Sequence, residues 1–308
     1  IRLSLVGSEM CIRDSDDSIA GFSQTHLNGT GVPDLGDIRM LPFNQNLQGE
    51  RFFCRYERET QVAMPGYYSV KLADMNIDVE LTVTERTAMH KYTFNQPGEA
   101  NLLLDLQNGL VFNSKNIRYR VLEGEVEMLD NKTIAGYNRV RGWVARYFYY
   151  MIVFDRPYTV KKELPQEEGE KAKRFILEFD LKEGESVQVK VALSTVGIEG
   201  AKMALDKENP GWNFESIKAE TNGKWNDMLS LAEVEGTEEE KMNFYTSMYH
   251  LFIQPTNIAD IDGKYRGAND SIFVSSTGYY YSTFSLWDTY RAAHPLYTLC
   301  LLYTSPSP

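Results

Sequence analysis

The sequence predicts a β-rich protein of two domains, an antiparallel β-sandwich followed by the opening of a helical domain. Two observations predict it. Apolar residues recur with a period of two from about Ile38 to Thr195, the alternation of half-buried strands. After Val196 the spacing changes to that of amphipathic helices, with apolar residues three and four apart. Strands first and helices second imply separate β and α parts, and exclude an alternating α/β fold.

The two ends read as foreign to this plan. Leu5 to Ser15 can be back-translated into a DNA string whose reverse complement, read one base in, encodes Cys300 to Pro308. Two ends of a natural gene have no reason to be complementary. Residues 1–15 and 300–308 are therefore expected to be translated adapter sequence and are set aside from fold reasoning. The rest divides into a β-sandwich domain over 16–210, a helical linker over 211–236 and the start of a helical domain over 237–299.

Within the sandwich, Tyr68, Val70 and Leu72 alternate with polar residues, and Ile77, Val79, Leu81 and Val83 do so after the turn Asp74-Met-Asn76. The apolar run Tyr147 to Phe154 is expected to be a strand buried on both faces, central between the layers. Phe175 to Leu181 and the alternating Val187, Val189, Val191 and Leu193 read as a hairpin joined through Lys182-Glu-Gly-Glu185. Many strands with short turns and no helix between them imply two packed antiparallel sheets.

The helical signals begin after the stop Asn209-Pro-Gly211, with a helix starting near Asn213 and carrying Trp225, Met228, Leu229 and Ala232 on one face. A second helix starts at Thr237, where Glu240 three residues on makes a capping box. Its stripe is Met242, Tyr245, Tyr249 and Phe252, and it ends before Pro255 because proline disfavours helix in the residue ahead of it. A loop at 260–267 and a strand-like stretch from Ser271 to Tyr281 lead to a helix at Ser285. Its first turn carries Trp287, Asp288 and Arg291.

Composition narrows the function. The chain has 32 Lys and Arg against 43 Asp and Glu, a formal net charge of -11, and the two set-aside ends do not change that balance. Nucleic acid and anionic membrane surfaces need clustered cations, so this acidic chain is a poor candidate to bind either. No apolar run approaches the roughly 20 residues that insert across a bilayer. Cys11 and Cys300 fall in the set-aside ends, leaving Cys54 alone, which excludes a framework of disulfides.

Several motifs carry candidate chemistry. Trp287, Asp288 and Arg291 form a sugar-shaped set: an apolar plate, an acceptor carboxylate and a planar cation at helical spacing. The same residues also fit a plainer role, Asp288 offsetting the helix dipole after an N-cap at Ser285, Trp287 in the core and Arg291 paired with Asp288. The stretch from Ala20 to Gly31 is rich in glycine and hydroxyls around His26 but lacks the lysine of a phosphate loop. His90, His250 and His294 stand singly, without metal-ligand spacing. Asp260, Asp262 and Gly263 match part of a calcium loop, yet the acid required near Ser271 is missing, so an Asp-Gly turn fits better. No nucleophile-elbow motif is present.

Blocks running in order along the chain add to this. Gly21-Phe-Ser-Gln-Thr-His-Leu-Asn-Gly-Thr-Gly31, Met64-Pro-Gly-Tyr-Tyr68, Glu80-Leu-Thr-Val-Thr-Glu-Arg86, Met248-Tyr-His-Leu251, Asp262-Gly-Lys-Tyr-Arg-Gly267 and Phe284-Ser-Leu-Trp-Asp-Thr-Tyr-Arg291 together resemble glycoside hydrolase family 92. That resemblance implies an exo-acting, calcium-dependent, inverting α-mannosidase acting on α-mannoside glycans, secreted or periplasmic. It implies a β-sandwich packed through helical linkers on an (α/α)6 barrel, of which this chain would hold only the first helices.

By the same resemblance Trp287 and Asp288 line the subsite for the terminal mannose, with His26 reaching it from the sandwich side and Arg291 orienting Asp288. Both catalytic carboxylates and most calcium ligands are expected beyond Leu299, so no catalytic and no metal-ligating residue is assigned within this chain. The rival readings are a carbohydrate-binding sandwich module, or another hydrolase or phosphorylase of the same architecture.

Overall fold

The computed structural model describes residues 18–25, 35–44, 52–109, 120–142, 145–282 and 286–301. Among them the strands are β1 (Ser18–Ile19), β2 (Arg39–Phe43), β3 (Cys54–Met64), β4 (Tyr67–Leu72), β5 (Ile77–Val83), β6 (Thr87–Phe94), β7 (Ala100–Asp105) and β8 (Val121–Met128). They continue with β9 (Thr133–Val140), β10 (Arg146–Phe154), β11 (Thr159–Glu163), β12 (Arg174–Phe179), β13 (Ser186–Ser194), β14 (Lys264–Arg266) and β15 (Ile272–Val274). The helices are α1 (Ile198–Glu208), α2 (Phe214–Leu229), α3 (Glu238–Phe252), α4 (Leu286–Thr289) and α5 (Ala293–Cys300).

The strands up to β13 form two antiparallel sheets. One has nine strands in the order β1-β3-β4-β5-β6-β13-β10-β9-β8, the other four in the order β11-β12-β7-β2. Between them lies one core in which Tyr92, Tyr150, Phe154, Leu102, Leu104 and Leu177 are among the buried side chains. The alternation read from the sequence is the cause, because each strand turns every second side chain inward.

Two strand expectations are corrected. β12 and β13 do not pair as a hairpin: β12 lies between β11 and β7 in the small sheet, while β13 lies between β6 and β10 in the large one. The turn is present, with Glu185 N donating to Lys182 O at 3.0 Å, but it carries the chain from one layer to the other. A period of two fixes which residues face the core and not which strand lies alongside. Likewise β10 is not between the layers. It belongs to the large sheet, with Phe148, Tyr150, Ile152 and Phe154 facing the core and Met151 facing Ala201, Ala204 and Leu205 of α1.

Helix α1, not anticipated from the sequence, covers the outer face of the large sheet. Small residues let it sit close: a Cβ on Gly200 would come within 2.0 Å of Asp260 Oδ2 and 2.6 Å of Ser194 Oγ. Helix α2 begins as expected, Asn213 capping Ser216 N at 3.1 Å, and packs beside β5 through Phe214, Ile217 and Thr221. Gly66, in the Met64–Tyr68 block, sits at φ 82 under that helix, where a Cβ would lie 2.5 Å from Thr221 Cγ2. Only glycine serves both the turn and the contact.

Helix α3 has the expected capping box, with Glu240 N on Thr237 Oγ1 at 3.3 Å and Thr237 N on Glu240 Oε2 at 2.8 Å. Of the predicted stripe, Phe252 is buried and Tyr245 and Tyr249 pack against the same cluster, while Met242 does not join it. Met242 is 68% exposed, while Met248 and Phe252 are buried with Trp225 of α2. Helix α5 closes this cluster: Tyr297 Oη lies 2.6 Å from the carbonyls of Leu251 and Gln254. The strand-like stretch 271–281 is interrupted, β15 ending at Val274 before a turn in which Gly278 N bonds Ser275 O at 3.4 Å. No described helix is long and apolar enough to cross a membrane.

Candidate functional site

Trp287 and Asp288 lie on a short helix that follows an aromatic strand segment. Asn257 and Tyr281 form an antiparallel bridge, reinforced by Ile258 N on Tyr280 O and Ser282 N on Thr256 O, both at 2.7 Å. Extended backbone sends alternate side chains to opposite sides. Accordingly Tyr280 stacks on Tyr265 of β14, centroids 3.7 Å apart and planes at 12°. Tyr279 and Tyr281 share the other side, rings nearly parallel at 6.1 Å. Both of the latter are exposed.

The single helix expected from Ser285 onward is broken. Helix α4 ends at Thr289 and α5 starts at Ala293, so Trp287 and Arg291 are separated by a turn instead of sharing one regular face. Trp287 is 84% exposed, so no described residue encloses its indole. Asp288 is the third residue of α4. Arg291 lies in the turn, its guanidinium 5.9 Å from the Tyr290 ring centroid. His26 lies outside the described residues.

Thr25, the residue before His26, is held by a buried polar network. Thr25 Oγ1 donates to Asp37 Oδ2 at 2.7 Å, and Gly36 N bonds Thr25 O at 2.8 Å. Asp37 also pairs with Arg120, and with Arg146 at 3.3 Å. Burial alone would raise the Asp37 carboxyl, but the two guanidiniums and the bonds from Arg120 and Thr25 draw it down to about 2. Beside it, Gln24 Nε2 lies 3.1 Å from His90 Nε2, and His90 Nδ1 is 2.5 Å from the Tyr92 hydroxyl. Burial lowers His90 to about 3, so it is a neutral spacer in this network. Sequence reasoning missed this cluster, whose partners are far apart along the chain.

The loop at 260–263 is an Asp-Gly turn, Gly263 N bonding Asp260 O at 2.9 Å with φ 79 at the glycine. Asp260 Oδ2 accepts from Ser194 Oγ of the sandwich at 2.5 Å and Asp262 pairs with neighbouring Lys264 at 2.7 Å, so both carboxylates already have partners. Among the described residues no group of three or more His, Cys, Asp or Glu comes together as a metal site. Asp260 and Asp262, turned to Ser194 and Lys264, do not present the carboxylate cluster that the calcium implied by the family resemblance would take. Cys54 is buried and its thiol is pushed up to about 12, which keeps it unreactive. A cavity of about 420 Å³ lined by Leu106, Glu125, Asn138, Tyr150 and Lys173 takes no lining residue from 264–301.

A β-sandwich joined through α1 and α2 to the first elements of a helical domain, with an aromatic surface near the junction, defines the class. The family follows from the comparisons. The glycosyl hydrolase family 92 N-terminal domain matches residues 9–194 and the glycosyl hydrolase family 92 catalytic domain matches residues 200–303. The chain belongs to glycoside hydrolase family 92.

Among solved structures it is similar to the family GH92 α-mannosidase BT3965 of Bacteroides thetaiotaomicron, at 30% identity and a TM-score of 0.84, covering 96% of this chain and 42% of that one. A complex of BT3965 with mannoimidazole superposes at 0.83 with 29% identity, over 92% of this chain and 40% of that one. The fold also matches the inverting mannosidase BT2199 of Bacteroides thetaiotaomicron VPI-5482, at 22% identity and 0.76, over 92% and 39%. The chain thus spans about 40% of the length of these relatives. No curated protein matches it.

Proposed function

We propose that this chain is the N-terminal part of an exo-acting α-mannosidase that hydrolyses terminal α-mannosides of glycans with inversion. The observation that carries this reading is the likeness of 96% of the chain to an α-mannosidase at 30% identity. The exposed Trp287 supports it: an indole face free of core packing is the surface on which the C–H face of a pyranose stacks. In this reading Asp288 accepts hydrogen bonds from the mannose hydroxyls, and His26 closes the subsite from the sandwich side.

Inversion needs a general acid and a general base about 6.5 to 9.5 Å apart with a water between base and anomeric carbon. We place both, and the calcium ligands, in the part of the relatives that has no counterpart here. The chain itself is therefore inactive and contributes one wall of the subsite. Secretion or export to the periplasm, where polymeric glycans are met, belongs to the same reading.

The test is direct. The purified 308-residue chain, given an aryl α-mannoside and calcium, is expected to release no mannose above the blank. A protein extended by the missing catalytic region is expected to release mannose first as the β anomer, followed by proton NMR. Turnover by the short chain would overturn the division of labour. Retention of configuration by the longer one would overturn the mechanism.

A further inference from the structure

Two of the family blocks, Glu80–Arg86 and Asp262–Gly267, have no role in the subsite as drawn. Each contains an arginine that crosses the junction between the sandwich and the later segment, and the crossings are reciprocal. Arg86, just after β5 and largely buried, donates from Nε to Ala259 O at 2.9 Å. Its Nη1 pairs with Glu208 Oε1 at 2.7 Å, and Glu208 Oε2 takes Thr84 Oγ1 at 2.6 Å and Arg86 N at 2.9 Å.

In the other direction, Arg266 of β14 donates from Nε to Thr195 O at 2.8 Å, and from Nη2 to Val196 O and the Tyr149 hydroxyl at 3.4 Å. Its guanidinium lies 4.7 Å from the Tyr147 ring centroid. Between the two, Ser194 Oγ donates to Asp260 Oδ2 at 2.5 Å.

Both arginines spend Nε on a backbone carbonyl, which fixes where the opposite chain runs whatever side chains it carries. The segment they hold leads directly to the aromatic surface. Asn257, two residues before Ala259, accepts through Oδ1 from Ala259 N and from Tyr280 N, each at 3.1 Å. Tyr280 and Ser282 are in turn bonded to Ile258 and Thr256, four residues ahead of α4.

We infer that Arg86 and Arg266 are positioning residues: they dock the segment 257–266 on the sandwich and so set where Tyr279, Tyr281 and Trp287 stand relative to it. Their consequence for sugar binding rests on the mannoside reading above. The docking itself does not.

Amide hydrogen exchange on this chain tests the docking. Arg86→Met is expected to speed exchange at Ile258, Tyr280 and Ser282 roughly tenfold, as loss of a charged hydrogen bond implies, while Val189 and Leu103 in the sandwich stay protected. Arg86→Lys, which keeps the charge facing Glu208 but lacks the Nε–H geometry toward Ala259, is expected to recover the melting temperature and not that local protection. If Arg86→Met fails to fold, Arg86→Lys and Arg266→Lys carry the test.

Unchanged exchange at the three amides, equal loosening of Val189 and Leu103, or full recovery of local protection in Arg86→Lys would each overturn the inference. In the extended enzyme Arg86→Lys is expected to raise KM for α-mannosides several-fold with a smaller change in kcat. Loosened amides with an unmoved KM would break the link to the sugar subsite while leaving the docking in place. Absence of mannoside turnover in the unsubstituted extended enzyme would overturn the functional reading alone.

Discussion

The sandwich and the segment from Lys264 to Leu301 are both rich in aromatic and aliphatic residues, and they dispose of them in opposite ways. In the sandwich Tyr92, Tyr150 and Phe154 are inside, and buried hydroxyls find partners, Tyr92 at His90 Nδ1 and Tyr158 at Asp130 O, 3.0 Å away. In the later segment Trp287, Leu299 and Val274 are 84%, 78% and 66% exposed. The first region encloses most of its large apolar side chains and leaves only scattered ones, such as Leu129 and Val160, in water. The second presents apolar faces that no described residue covers, the pattern of a surface meant for a ligand or for further protein.

The sharpest way to break that contrast is to cut into each side. Phe154→Ala removes a fully enclosed ring packed against Tyr158 and Phe179, centroids 5.2 and 5.4 Å away. It is expected to cost about 3 to 5 kcal/mol in urea unfolding. A cost below about 1 kcal/mol would mean that the sandwich core does not carry the stability of the chain.

Next in size is the buried network beneath Thr25. Asp37→Asn leaves the buried Arg120 and the partly exposed Arg146 facing a neutral partner, and is expected to cost about 3 kcal/mol at neutral pH. The sign of the pH effect follows from the lowered pKa. Asp37 at about 2, against an ordinary value of 3.8, contributes stability above pH 4 that is lost as pH falls from about 4 to about 2. His90, lowered to about 3 from 6.5, also contributes above its unfolded value and loses that contribution over a higher window, as pH falls from about 6.5 to about 3. Acid titration followed by circular dichroism is expected to show Asp37→Asn with a flatter decline below pH 4. An unchanged decline would place the acid sensitivity elsewhere.

How much of this was legible depended on how local the signal was. The Thr237–Glu240 capping box and the start of α2 at Asn213 were readable because cap and helix are adjacent in sequence. So was the alternation from Tyr68 to Val83. The pairing of β12 and β13 was misread because a short polar turn looks the same whether its strands pair or cross between layers.

Helix α1 was missed because its buried face is built from Gly200, Ala201 and Ala204, whose small side chains give a weak periodic signal. Of the site, Trp287 was legible as a residue type in a motif, but the break between α4 and α5 was not. Asp37, Arg120 and Arg146 were invisible, since only the folded sheets bring them together.

A smaller effect belongs to the exposed face. With Met242, Leu286, Trp287 and Leu299 uncovered, the chain is expected to associate at micromolar concentration, seen by light scattering. Leu286→Lys together with Leu299→Lys is expected to reduce that association without lowering the melting temperature. A monomeric unsubstituted chain would show that the apolar face is too dispersed to drive contact.

The smallest effect on folding is the most informative about function. Trp287→Ala deletes the largest side chain of α4, yet that side chain is already in water, so its loss is expected to change unfolding free energy by no more than about 0.5 kcal/mol. If the indole is a sugar platform, the same substitution in the extended enzyme weakens mannoside binding about tenfold or more, ~1.4 kcal/mol or above. If it is instead a contact for the remainder of the catalytic domain, the substitution lowers the melting temperature of the extended protein and leaves KM alone. The two outcomes differ in which measurement moves. The comparison between a self-satisfied sandwich and an open aromatic segment is thereby resolved into either a ligand surface or a domain contact.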